Sequence, residues 1–158
     1  MSTEKPDTTP KNKIDIWRDT PVRLLGYANE VGESFRALVH VNAVRLSYGV
    51  AFAYVFADTN DKTKKEMNQK RKIIAAADTL IWQTLASVAI PGFTINRLCA
   101  LSLFLLSKNK KLSLPMRKWT TTAIGLASIP FIVKPIDHGV DFLMESTFRK
   151  FFHPEIGP

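Results

Sequence analysis

The chain has 158 residues, 46% of them hydrophobic and 23% charged, which excludes intrinsic disorder and collagen-like repeats. That length suits one domain of ordinary size, or three or four membrane-spanning helices with short connections. Its single cysteine, Cys99, excludes an internal disulfide and a cysteine-based zinc site, and the net charge of +8 invites a nucleic-acid reading that the placement of the charges argues against.

In chain order, residues 1–17 form a polar amino terminus, with Pro6 and Pro10 in its first thirteen positions, and are expected to be disordered. Glu4, Asp7, Asp15 and Asp19 punctuate this region. A secretory signal needs an apolar stretch here and a matrix presequence should be poor in acids, so any organelle address is expected to be internal. Asp19, Thr20 and Pro21 then read as a helix start, with Thr20 as N-cap and Pro21 at the first helical position. Leu24, Leu25, Ala28, Val31, Phe35, Leu38 and Val39 recur at three- and four-residue intervals, the spacing of one helical face. Arg23, Tyr27, Glu30, Glu33, Phe35 and Arg36 are the candidate residues of a partner-docking helix; packing back onto the rest of the chain is the alternative.

Four apolar segments follow, and crossing a hydrocarbon core takes about 20 helical residues. Segment A, 38–57, is interrupted early by His40, Asn42 and Arg45. Segment B, 73–90, has Asp78 as its one charge and runs into Pro91 and Gly92, a pair that ends or bends helices. Segment C, 93–106, carries Arg97 and is marginal alone, whereas segment D, 119–133, opens on Trp119 after Arg117 and Lys118, an order suited to the membrane interface. Gly49, Ala53 and Ala57 are four apart, as are Ala123 and Ala127, a spacing that allows close helix approach in lipid. A soluble bundle with all-round apolar core helices is the alternative.

The stretch 58–72 holds six bases and three acids, and 107–118 holds five bases and no acid; between them they carry the whole net charge. Neither contains an aromatic side chain for stacking on bases, which excludes nucleic acid as the partner. Their placement between apolar segments is that of topogenic loops. If both lie on one side, segments B and C form a hairpin at Pro91–Gly92 and the chain crosses four times, with both termini opposite; three crossings is the rival. The expected fold is therefore all-α: a multi-pass helical membrane protein, one domain over 18–150, preceded by an amphipathic helix and followed by a short tail at 151–158. The lipid bilayer is its first partner.

No phosphate-cradling loop, helical histidine pair or glycine-flanked serine occurs, so neither catalytic residues, a cofactor nor a metal is indicated. Charges at membrane depth are functional candidates by default, and these are Arg45, Asp78, Arg97, Asp137 and Asp141. Asp137 and Asp141 lie one helical turn apart beside His138, a cluster able to bind a cation or relay protons. The alternative is structural, with Asp78 paired to Arg45 or Arg97.

The strings RDTPVRLLGYANEVGESFR at 18–36, LSYGVAFAYVFAD at 46–58, LASVAIPGFTINR at 85–97, RKWTTTAIGL at 117–126 and PIDHGVDF at 135–142 together resemble the mitochondrial fission process protein 1 family. The resemblance implies a multi-pass protein of the mitochondrial inner membrane that promotes mitochondrial division and supports viability. It carries over neither a catalytic residue nor a cofactor. On this reading the protein is a non-enzymatic scaffold or regulator whose partners are other inner-membrane proteins or a second copy of itself, with both basic loops in the matrix and the termini in the intermembrane space. A small transporter or channel using the intramembrane charges is the second reading. Pro135, Ile136 and Asp137 start like the solute-carrier signature, but Val140 stands where a base is expected.

Overall fold

The computed structural model describes residues 14–152. Every regular element in them is helical. A short helix α1 (Ile16–Asp19) is capped by Asp15, whose carboxylate accepts from the Trp17 N–H. Thr20 and Pro21 do open the next element, but it is a 3₁₀ helix (Pro21–Tyr27), and the Thr20 hydroxyl turns back to the Ile16 carbonyl instead of capping forward. Helix α2 (Ala28–Ser34) continues from it. The chain then breaks over residues 35–40, and His40 caps α3 (Val41–Lys65), its ring nitrogen accepting from the Asn42 N–H at 3.2 Å. The amino-terminal segment and segment A are therefore separate elements.

The next element overturns the expected hairpin. Helix α4 (Gln69–Gln83), a π-helical stretch (Thr84–Ala89) and α5 (Ile90–Ser107) join into one continuous 39-residue helix, about 58 Å long at the α-helical rise. Pro91 is accommodated because the preceding turns have shifted register: the Ile90 N–H donates to Leu85 O, five residues back. A π-bulge gives a proline ring the room that an α-turn denies it. Gly92 serves close packing and not a turn. It has no positive φ, and a methyl group on it would lie 2.7 Å from Tyr48 Oη and 2.8 Å from Asn29 Nδ2. Segments B and C are thus one helix, and the two basic stretches sit at its opposite ends.

Helix α6 (Leu114–Ser146) runs through segment D and on past Pro130 and Pro135. Each proline removes an intrahelical hydrogen bond, and the helix nevertheless continues through both. A short α7 (Phe148–Phe152) closes the described chain.

Side-chain pairs fix how these elements run. Going along the amino-terminal segment, Trp17 meets Asp61, Arg23 meets Asp137, Asn29 meets Val88, and Glu33 meets both Tyr48 and Asn96. The partners on α3 descend in number, as do those on α6, where Asp137 meets Arg23 and Gly125 lies beside Ser34, while those on α4–α5 ascend. The segment α1–α2 is therefore antiparallel to α3 and α6 and parallel to the long helix. A four-membered up-and-down arrangement results, but its members differ from those expected: segments B and C count as one, and the amino-terminal segment supplies the other. Both ends of the described chain, α1 and α7, lie at the end of the bundle where α3 closes and the long helix begins.

Two apolar clusters stabilise it. Ala51, Tyr54, Val55 and Val88 pack between α3 and the π-helical stretch, and Trp82, Ala86, Val140 and Met144 pack between the long helix and α6. Around them the polarity is inverted. Leu46 and Phe56 on α3, Phe93, Leu101 and Phe104 on α5, and Trp119, Phe131 and Phe142 on α6 face outward, Phe131 with 79% of its surface free. Asn29, Glu30, Glu33, Ser34, Asp58, Gln83 and Ser87 are buried.

Candidate functional site: a polar interior between the helices

The inversion begins in the amino-terminal segment. The segment was expected either to dock a partner or to pack back onto the chain; in the structure Leu24, Leu25, Val31 and Val39 are exposed while Arg23, Asn29, Glu30, Glu33 and Ser34 turn inward. Of the six candidate docking residues, Arg23, Glu30 and Glu33 are buried, Tyr27 and Phe35 are half-buried and Arg36 is exposed. The segment's polar side is occupied by its own bundle.

At the end of the bundle where α1 begins, Lys62 bridges Asp58 at 2.5 Å and Asp15 at 3.1 Å. Gln83 donates to the other Asp58 oxygen and accepts from Ser87. Asp61 accepts from the Trp17 indole and from Lys65, and those donors, Lys65 foremost, hold its carboxyl below the usual range.

Midway, Arg23 reaches across to Asp137, its Nη2 lying 3.0 Å from both carboxylate oxygens, and its Nε donates to Tyr27 Oη at 2.7 Å. The guanidinium also lies over the rings of Tyr27 and Trp82, at 5.1 and 5.3 Å from their centroids. Burial works against the Arg23 charge, but Tyr27 and Asp137 outweigh it and raise the pKa. Trp82 donates to Asp141 at 2.7 Å, and Arg149 from the last helix clamps Asp78 at 2.7 and 3.2 Å while touching Asp141 at 3.3 Å. A cleft of about 400 Å³ opens here, lined by Asp19, Arg23, Trp82, Lys134, Asp137, His138 and Asp141.

Farther on, Glu33 is saturated: Arg36 binds both its oxygens at 2.7 and 2.8 Å, and Tyr48 and Asn96 each donate once more. Burial disfavours its charge, yet these donors prevail and keep the carboxyl ionised, with its pKa lowered. Glu30, one turn earlier, is the opposite case. It is wholly buried and neither carboxylate oxygen has a hydrogen-bond partner. Burial pushes its pKa up to about 8, against smaller opposing pulls from its own backbone N–H and then from Arg23.

The five intramembrane charge candidates separate into two groups. Asp78, Asp137 and Asp141 come together around the cleft through Arg23, Trp82 and Arg149. Arg45 and Arg97 lie outside it on exposed faces, Arg97 bonded to its neighbour Asn96 and stacked near Phe93. The partner of Asp78 is thus Arg149 and not Arg45 or Arg97, because those two point away from α4. Arg149 went unsuspected in the sequence, since it lies eight residues beyond Asp141 past a helix break at Thr147. The surplus of acids over bases from Lys134 onward was the available signal. Asn29, Asp58, Gln83 and Ser87 also escaped notice, as polar residues within apolar stretches carry no mark of which way they face. Among the described residues there is no group of three or more His, Cys, Asp or Glu side chains able to hold a metal ion. His153 lies outside them.

The chain is similar to known proteins along most of its length. The family model described as mitochondrial 18 kDa protein matches residues 11–78 and 59–144. Mitochondrial fission process protein 1 of Danio rerio is 57% identical over 91% of this chain and 92% of its own. The Homo sapiens protein of that name is 55% identical over 90% of each chain, and that of Caenorhabditis elegans 55% over 89% and 90%. No solved structure matches the chain. Family match and relatives extend over the amino-terminal segment and all three long helices, so this chain belongs to the mitochondrial 18 kDa protein family.

Proposed function

We propose that this protein is an integral, multi-pass protein of the mitochondrial inner membrane that promotes mitochondrial fission as a non-enzymatic scaffold or regulator. The division role is taken from the name of its relatives; the membrane role rests on the inverted polarity. Large apolar side chains cover the outside of α3, α5 and α6 while carboxylates, amides and a guanidinium fill the inside. In water such a surface would aggregate; in lipid it is the low-energy arrangement. The long helix 69–107 is long and apolar enough to cross a bilayer, and α3, about 37 Å, and α6, about 50 Å, run beside it with length to do the same.

In this reading α3, α4–α5 and α6 are the spanning helices and the amino-terminal segment seals the polar space between them. The acid-free loop 107–118 faces the matrix, in keeping with the retention of bases on the side where insertion starts. The termini and the loop 58–72, two of whose lysines are paired to Asp58 and Asp61, face the intermembrane space. Gly49, Ala53 and Ala57 point outward from α3, with open space above Gly49, and offer the helix of another inner-membrane protein, or of a second copy, a place to approach. Depleting the protein should give elongated, connected mitochondria and excess should fragment them; a network indifferent to both would exclude the fission role. Resistance to carbonate extraction tests the membrane role separately.

The cleft around Arg23, Asp137 and His138 favours a second reading, a small transporter or channel. It predicts solute or ion flux through liposomes carrying the purified protein, abolished by Asp137→Asn.

A further inference from the structure

We propose that Glu30 is a proton-binding site inside the bundle, coupled to the Arg23–Asp137 ion pair. A carboxylate removed from water needs donors, and an ionised one left without any is among the most costly groups a protein interior can hold. Glu30 meets no donor from another residue and feels only a weak pull from its own backbone N–H, although it is fully buried on a helix whose neighbour Glu33 collects four hydrogen bonds. The difference between the two carboxyls is one of protonation state: Glu33 is held as a carboxylate, and Glu30 as a neutral acid.

The groups facing Glu30 say what its proton is linked to. From the 3₁₀ helix these are Arg23 and Tyr27, from α3 Tyr48, and from α6 Asp137. From α5, Cys99 lies toward α2 beside Ser34 and feels the charge of Glu33. Arg23 spends Nε on Tyr27 and Nη2 on Asp137, but its Nη1 is buried with no acceptor. The interior therefore contains one guanidinium, with Tyr54 beside it and one nitrogen that no carboxylate holds, and two carboxyls that feel its charge. While Glu30 keeps its proton, Asp137 holds Arg23 alone. Once the proton leaves, two carboxylates share one cation, and the tie between the amino-terminal segment and α6 weakens at the wall of the cleft. By reciprocity, whatever strengthens the Arg23–Asp137 pair must favour the proton on Glu30.

The full chain, with its six glutamates labelled with ¹³C at the side-chain carboxyl and placed in lipid nanodiscs, allows a direct test. At pH 6.5 one glutamate carboxyl should show the chemical shift of the neutral acid, move to the carboxylate position as the pH is raised, and be missing from Glu30→Gln. Asp137→Asn should lower the midpoint by about half a pH unit or more, and Arg23→Gln should raise it, the signs set by removing a neighbouring negative and a neighbouring positive charge. Six ionised glutamates at pH 6.5 in the native chain, which needs no variant, would overturn the site. A midpoint unmoved by Asp137→Asn in a folded variant would overturn the coupling.

Discussion

Glu30 and Asp78 show how differently two acids in one bundle behave. The folded pKa of Glu30, about 8, lies above its ordinary value of 4.5, so between those limits the folded state keeps a proton that the unfolded chain has released. Stability should then be greatest below about pH 4.5 and fall as the pH rises toward 8, by at most about 1.4 kcal/mol per unit. Thermal unfolding in detergent should show this loss in the native chain, and the Glu30→Gln variant should lack that component. Asp78 is held by Arg149, whose pKa is raised chiefly by that bond. A double-mutant cycle of Asp78→Asn with Arg149→Met should yield a coupling of about 1–3 kcal/mol, whereas Asp78→Asn with Arg45→Met should be additive within about 0.5 kcal/mol. Coupling to Arg45 instead would mean that α3 is rotated from the orientation described.

Local signals served well for some elements. Thr20 and Pro21 marked a helix start, and the bases before Trp119 fall in the opening turns of α6. They failed at Pro91–Gly92, because the rule that this pair breaks helices assumes α-helical register on both sides. The π-helical stretch before Pro91 supplies the missing room, and Tyr48 and Asn29 use the surface that Gly92 leaves bare. Spin labels at Lys72 and Lys108 separate the two architectures. A continuous helix puts their backbones about 54 Å apart, while a hairpin would bring them to neighbouring-helix distances of about 10 Å. The amino-terminal segment shows the complementary failure. Its apolar periodicity was legible, but which side of an amphipathic helix faces the protein depends on whether the surroundings are water or lipid.

For the whole molecule, the charge pattern was visible and its geometry was not. Five bases without an acid at 107–118 and a milder excess at 58–72 suggested one shared side, yet a single helix of 39 residues separates them. Tags inserted in the two loops should therefore show opposite protease protection in mitochondria stripped of their outer membrane: the 58–72 tag cleaved and the 107–118 tag protected. Equal protection of both would restore the hairpin.

From its residues alone this chain declared an all-helical pattern, long apolar runs, the family to which it belongs and the absence of any catalytic motif, because apolar run length, charge placement and long shared strings are properties of linear order. Which acid meets which base was settled only in three dimensions. Arg23 finds Asp137 across 114 positions and Arg149 finds Asp78 across 71; distances of that kind depend on how helices stack, and one register shift before Pro91 was enough to redirect the stack.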